Sequence, residues 1–380
     1  MSQVEFRDIV GQDRAIDLLQ RAMDTKQMPH ALLFLGPLGV GRRTTALALA
    51  KTLLCQSPAA MAAKGADRPL VQACGHCDDC RMMASGNHPD FHLVYKELAR
   101  YHDNLQVRSR VMQDLGIDVI RSSLIAPAAI FPTRGRARVF VVLEADLMNN
   151  PAQSALLKTL EEPPSGVTII LICSKREQLL PTTLSRCATI RFSLLPKDFV
   201  ISKLVSTGID QVQAEFWAAF TTGSVGRAID LAGKNLYEIK RNFVGKLAGM
   251  GPAGCGELAE ELSKATDNLA SKAVASAKAA QGAELSKTLA GRQAAGAMLE
   301  LLTSAYRDAM GLAAGEERTL VHADQQHEIE SIAAKFTLAE LAGIIESLSR
   351  CEQLLWNNVN QRIVWDNAII ACASAKPLGV

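Results

Sequence analysis

No apolar stretch in this sequence approaches the roughly 20 residues that a membrane-crossing helix needs. The start, Met1-Ser-Gln-Val-Glu-Phe6, has neither the basic residues nor the apolar run of a secretory signal. A cytoplasmic protein without a membrane association is therefore expected. Charge of one sign is missing too: 41 Lys and Arg stand against 39 Asp and Glu, a net +2. That balance neither demands nor excludes nucleic acid, but it gives a nucleic-acid binder acting alone no dense basic face. What is present, 48% hydrophobic and 21% charged residues over 380 positions, suits a soluble globular chain of two or three domains. There are nine cysteines, and in a cytoplasmic setting they point to metal or free thiols rather than disulfides.

The most telling shortage is local. Gly36-Pro-Leu-Gly-Val-Gly-Arg-Arg-Thr-Thr45 carries the glycine frame of a phosphate loop, G-x-x-x-x-G-K-[ST]. In that pattern backbone N–H groups curl around phosphates, the Lys reaches the outer phosphates and the hydroxyl binds magnesium. Gly36, Gly39 and Gly41 keep the bend, between an apolar strand-like run at 31–35 and a helix-like run at 44–51. Arg42, however, stands at the Lys position and Arg43 at the hydroxyl position. A planar fork replaces a compact ammonium, and the magnesium ligand is gone. Thr44 does not restore it, since one residue further along a helix points about 100° away.

A second shortage lies at 134–146, where basic residues lead into an apolar strand ending in acids. A Walker B strand would place an Asp there for magnesium and an acid after it to polarise water. Leu143 occupies the Asp position, leaving Glu144 and Asp146. Taken alone, the segment suits any core strand with acidic ends.

Cys74-Gly-His-Cys77-Asp-Asp-Cys80, together with Cys55, has the spacing of a closed Cys₄ site. One structural zinc is expected, stapling a loop too small for a core of its own. A redox dithiol would need only two of these cysteines, and buried single thiols need no function. His76 reads as a bystander. Elsewhere, Phe91–Tyr95, Val167–Ser174 and Ala188–Phe192 read as strands, and 117–124 and 149–164 as helices, the latter with a polar cap, an early Pro and a double-Pro stop. Alternation of this kind predicts an α/β parallel sheet with its ligand loops at the strands' carboxyl ends. The Ala-rich stretch 253–298 predicts exposed helix, with partial disorder as the alternative, and the segments around 297–302, 338–348 and 357–367 a helical bundle.

Val10-Gly11-Gln12, twenty-four residues before the loop, resembles the N-terminal box of AAA+ ATPases, which in that family lies against the adenine. Asn149 through Pro164, Ser174 and Ser185-Arg186-Cys187, in this order behind a phosphate loop and a four-cysteine module, resemble the clamp-loader subunits of bacterial DNA polymerase III over residues 1 to about 235. The resemblance implies an AAA+ domain at 1–194 with a zinc module at about 55–80, a small helical lid at 195–245 and an all-α collar at 246–380. It implies that Arg186 is an arginine finger acting in trans and that Arg227 holds the second-sensor position. The nucleotide-binding-like set would be Val10, Gly36, Gly39, Gly41, Arg42, Arg43, Thr44, Glu144, Ser174 and Arg227. Motor subunits of the gamma or tau kind keep the Lys, the Thr and the Walker B Asp, and departures at Arg42, Arg43 and Leu143 match the delta-prime kind instead. The implied role is a non-hydrolysing stator that works with gamma/tau and delta subunits and, through them, with the sliding clamp and primed DNA. Whether ATP or ADP is bound without turnover stays open, because the backbone cradle alone can hold a phosphate. The rival readings are an ATP-hydrolysing gamma/tau-type motor or another AAA+ ATPase with an unorthodox phosphate loop, and a zinc-dependent nucleic-acid binder acting alone.

Overall fold

The continuous apolar run Val167–Cys173 requires cover on both faces, and all seven of its residues are buried. The computed structural model describes residues 5–62, 69–108, 114–134, 136–251, 254–281, 286–316, 319–357 and 359–374. These fall into two compact units, Met1–Pro196 and Lys197–Val380. The first is built on a five-stranded sheet of β1 (Ala31–Leu35), β4 (Phe91–Val94), β5 (Arg138–Val142), β6 (Val167–Cys173) and β7 (Ala188–Arg191). Its order is β4-β5-β6-β1-β7, with every pairing parallel. The short strands β2 (Ala59–Met61) and β3 (Leu70–Gln72) form a separate antiparallel pair.

Side chains alternate between the two faces of each strand. Leu33, Phe140, Val142, Ile169 and Leu171 enter one cluster with Val119, Ile120 and Leu124 of a helical stretch at 117–128 and with Leu156 and Leu160 of α4 (Asn150–Glu161). Each large aliphatic side chain buried in this way contributes about 1.5–3 kcal/mol. The helix at 117–124 is found, but it runs on to Ala128 through a π turn, Arg121–Ile125. Pro127 follows directly, and its nitrogen has no proton with which to continue the α ladder. The helix α4 begins as its sequence predicts: Asn149 Oδ1 accepts the Ala152 N–H at 3.0 Å, Pro151 fills the first turn, and the helix stops before Pro163-Pro164. On the other side of the strands run α1 (Asp13–Asp24) and α2 (Arg42–Leu54), the latter burying Ala46, Leu49 and Ala50. The small-residue stretch after Cys55 contains the β2–β3 hairpin and leads to α3 (Asp78–Ser85). Buried Gln20 of α1 grips that hairpin, giving a proton to Val71 O at 2.9 Å and taking the Val71 N–H at 2.6 Å.

The second unit is helical: α5 (Lys197–Ser206), α6 (Gln211–Phe220), α7 (Val225–Ala232), α8 (Leu236–Gly249), α9 (Cys255–Gln281), α10 (Lys287–Ala313), α11 (Gln326–Lys335), α12 (Leu338–Trp356) and α13 (Gln361–Ser374). The Ala-rich stretch is helical as expected, but it is exposed on one side only. Leu258, Ala259, Leu262, Thr266 and Ala270 of α9, and Ala290, Ala295 and Met298 of α10, are buried, because their near four-residue spacing makes one apolar stripe among the alanines. Residues 253 and 282–285 of that stretch lie outside the described residues, and the helix expected at 357–367 begins at Gln361. Lys240 of α8 is fully buried, 2.5 Å from Asp324 Oδ2 and 4.0 Å above the Phe216 ring. Tyr237 donates to the same carboxylate oxygen at 2.8 Å. Burial pulls the Lys240 ammonium down to about 8, with Asp324 opposing the shift.

Where β4 begins, Asp90 is wholly buried and takes N–H protons from Thr133 and Arg134, both at 2.8 Å, and from Arg138 Nη2 at 2.8 Å. Burial alone would raise its pKa, but the bonds from Arg138, Arg134 and Thr133 outweigh burial and hold it below the ordinary Asp value. A depressed carboxyl contributes stability above its unfolded pKa, about 3.9, and that contribution is lost as pH falls through the folded value. Replacing Asp90 by Ala strands the buried Arg138 and is expected to cost about 3–5 kcal/mol near neutral pH. In denaturant melts of the two proteins, the gap should narrow as pH drops below about 4.

Candidate functional site

The loop after β1 folds as a phosphate cradle. A side chain at Gly36 would set its Cβ 2.5 Å from the Phe192 carbonyl oxygen, so only glycine lets the chain pass there. Gly41, at φ +98°, caps α2 in the left-handed region that glycine adopts freely. Gly39 is also left-handed. The Val10-Gly11-Gln12 box reaches this loop through its last residue: Gln12, nearly fully buried, donates to Val40 O at 3.2 Å and Ser193 O at 2.7 Å and accepts the Ser193 N–H at 3.0 Å. Val10 itself is 44% exposed.

Arg42 does not stand out toward a ligand. Only 4% exposed, it donates to the Cys173 carbonyl and, at 2.9 Å, to Ser174 Oγ, both at the end of β6. Ser174 N in turn donates to Asp146 Oδ1 at 3.3 Å. Burial pulls the guanidinium below its ordinary pKa, while the Asp146 carboxylate pulls the other way. Gly36, Gly39, Gly41, Arg42 and Ser174 thus come together, with Asp146 as an added partner. Arg43 is exposed and Thr44 half-buried. The Thr45 hydroxyl turns back onto Gly41 O at 3.0 Å. Glu144 does not complete a Walker B site: at φ +49° it turns outward, and its carboxylate lies 3.3 Å from Lys96 Nζ. Arg227 belongs to the second unit, where it pairs with Glu300 and lies 5.6 Å from the centre of the Phe220 ring.

Arg186 sits at the other end of the sheet from the loop. Leu32 is level with Ala188 and Leu35 with Arg191 in the parallel pairing. Arg186 precedes β7 and Gly36 follows β1, so about six residues of strand, roughly 20 Å at 3.3 Å each, separate the two levels. An arginine side chain cannot span that distance to serve its own loop. Its turn is held from behind by Gln153 of α4, fully buried, which accepts the Leu180 N–H at 2.8 Å and donates to Gln178 O and Met148 O, both at 3.0 Å. Gln12 stands in the Val10-Gly11-Gln12 box that the sequence singles out, whereas Gln153 is signalled there only as a polar residue on an otherwise apolar helix face with Ala152, Leu156 and Leu160.

The four cysteines converge. The sulfurs of Cys55, Cys74, Cys77 and Cys80 all lie within 4.8 Å of one another, an arrangement able to hold a metal ion. Burial pushes the Cys55 and Cys80 thiols up. At Cys74 burial also works upward, but the backbone N–H groups of His76 and Cys77 and the neighbouring thiols prevail and bring it to about 6. His76 is turned to the Cys74 carbonyl at 2.9 Å and stays outside the cluster.

Two family profiles match the chain, one described as DNA polymerase III, delta subunit, over residues 11–196, the other as DNA polymerase III, delta subunit, C terminal, over residues 260–373. The DNA polymerase III subunit delta' of Bacillus subtilis is 25% identical over 359 residues, 94% of this chain and 95% of that protein. The chain belongs to the delta-prime family of DNA polymerase III clamp-loader subunits. Its first unit, with the phosphate loop on a five-stranded parallel sheet, is of the AAA+ α/β class, followed by an all-helical region. The delta' subunit of Escherichia coli is 30% identical over 227 residues, 59% of this chain and 61% of that protein. A gamma/tau subunit of Mycobacterium tuberculosis is 32% identical over 194 residues, 50% of this chain and 29% of that protein. Among the described residues no helix is long and apolar enough to cross a membrane.

With Arg43 and Leu143 at the two positions where a working loop offers magnesium a side-chain oxygen, neither position carries one. The isolated chain is expected to release no phosphate from ATP above background, and Arg43→Thr alone should not restore turnover. A magnesium-dependent rate abolished by Gly41→Val would overturn this.

Proposed function

We propose that the chain is the stationary delta-prime subunit of a cytoplasmic clamp loader, hydrolysing no ATP itself while gamma/tau motor and delta subunits join it in loading the sliding clamp on primed DNA. The observation that carries this is the separation within the first unit. The chain's own loop lacks both magnesium ligands, and its candidate arginine finger faces away at the opposite sheet end. A catalytic arginine so placed has use only for a nucleotide held by a neighbour, where it would supply positive charge to the γ-phosphate. The names of the relatives support the same assembly. The helices at 195–245 would serve as the lid, carrying Arg227 at the second-sensor position, and those at 246–380 as the collar that joins subunits. Arg42 fills the place of the Lys with an internal cation, so retention of ATP or ADP would rest on the backbone cradle alone.

The metal held by the cysteines would be zinc. Four thiolates at about 2.3 Å from a tetrahedral zinc lie about 3.8 Å apart. The sulfur separations of 3.5 Å for Cys55 and Cys74, 3.8 Å for Cys55 and Cys77, and 4.0 Å for Cys74 and Cys80 bracket that value. With all four positions taken by protein the ion would be structural. Metal analysis should find one zinc per chain, released at acid pH as protons compete for the thiolates. Full occupancy surviving Cys77→Ser together with Cys80→Ser would exclude the assignment.

In a complex reconstituted with gamma/tau and delta, Arg186→Ala should lower the clamp- and DNA-stimulated ATPase while assembly is kept. The loss should be smaller than the roughly 10³–10⁵ of a GTPase finger, since this is one of several nucleotide sites. Lys at 186 should rescue poorly because the two-pronged donor is lost. Identical rates at equal occupancy would leave Arg186 an ordinary surface residue.

A further inference from the structure

A guanidinium has five N–H donors, and on Arg186 the chain itself receives three hydrogen bonds from them. The Nε–H goes to Glu161 Oε1 at 2.6 Å, and Nη2 lies against the same oxygen as an ion pair. The Nη1 protons go to Thr182 O at 2.9 Å and Ser185 Oγ at 3.2 Å. Arginine grips a phosphate firmly through two parallel N–H bonds along one edge, and each edge here already has a donor committed. Thr182 and Ser185 belong to the arginine's own turn and move with it. Glu161 does not: it ends α4 and contributes the one opposing charge in this set of partners.

We infer that Glu161 parks Arg186, its carboxylate standing where a neighbouring subunit's γ-phosphate is to be gripped and giving way when that phosphate arrives. The inference rests on reading Arg186 as a finger in trans. Its physical basis is the exposure of the pair, 31% for the Arg186 side chain and 47% for Glu161. A solvent-screened ion pair of this kind is weak. It suffices to order a long side chain before assembly, and a phosphate, with more charge and more acceptor oxygens, displaces it readily. Glu161 is thus a positioning residue that competes with the neighbour's nucleotide for the same donors.

The test uses complexes reconstituted with gamma/tau and delta and carrying wild-type, Glu161→Gln, Arg186→Ala or doubly substituted chains. Clamp- and DNA-stimulated turnover is followed against ATP concentration, and thermal melting of each chain checks the fold. Removing the competing charge with Glu161→Gln should lower the ATP concentration for half-maximal turnover, by up to about fivefold for a surface pair, without lowering kcat. In the Arg186→Ala background the same change should shift nothing. A fall in kcat with Glu161→Gln, or an equal shift with and without Arg186, would overturn the inference, the first because Glu161 then aids the finger, the second because it acts elsewhere. If Arg186→Ala lowers turnover and Glu161→Gln leaves the ATP dependence unchanged, parking alone is wrong. If Arg186→Ala changes nothing, the finger reading fails and parking with it.

Discussion

The phosphate loop of this chain is organised around a buried guanidinium. A loop that turns its N–H groups inward beside the carboxyl ends of parallel strands gathers positive potential at one point, and in a working site phosphates and magnesium settle it. Here Arg42 lies in that neighbourhood with its charge folded back onto Cys173 O and Ser174 Oγ, and Asp146 stands behind Ser174. The first turn of α2 and the end of β6 are thereby tied by protein atoms alone. Gln12 does the same on the other flank, joining Val40 to Ser193. The loop keeps its glycine frame while its two magnesium-ligand positions carry Arg43 and Leu143.

The parallel sheet then separates the cradle from Arg186 by geometry. Whatever follows a strand's carboxyl end lies on one side, and whatever precedes a strand's amino end lies on the other. The cradle falls on the first side. Arg186 and its partners Glu161 and Thr182 fall on the second, with Gln153 supporting their turn from inside. Near the start of β4 and β5 the buried Asp90–Arg138 pair fixes the chain at 133–134, and Arg134 reaches from there to Asp79 of α3 at 2.9 Å. The cysteine module is therefore fastened to the sheet through the residue beside one of its own thiols, as well as through Gln20 on the hairpin. A staple without a core of its own depends on such attachments.

Sequence alone determined the elements whose signals are local. The glycine frame, the capped helix from Asn149 to the double Pro, the fully apolar strand at 167–173 and the C-x₂-C-x₂-C spacing each depend on neighbours within a few residues, so their physics is written in order along the chain. The same holds for what is missing, since Arg43 and Leu143 lack a magnesium-binding oxygen in any fold. Tertiary structure decided where the remaining side chains point. Arg42 reads as a modified phosphate ligand until β6 is placed beside β1 and its carbonyl comes within reach. Glu144 reads as a polarising acid until a left-handed turn aims it at Lys96. The alanine-rich helices read as exposed until α9 and α10 meet a bundle that covers one stripe of each. Gln12, Gln153 and Glu161 take their deciding partners, Ser193, Leu180 and Arg186, from 25 or more residues away in sequence, and only the folded chain supplies them. Local spacing sets which backbone shapes form. Hydrogen-bond partners far along the chain, which only packing brings near, set what each polar side chain is able to do.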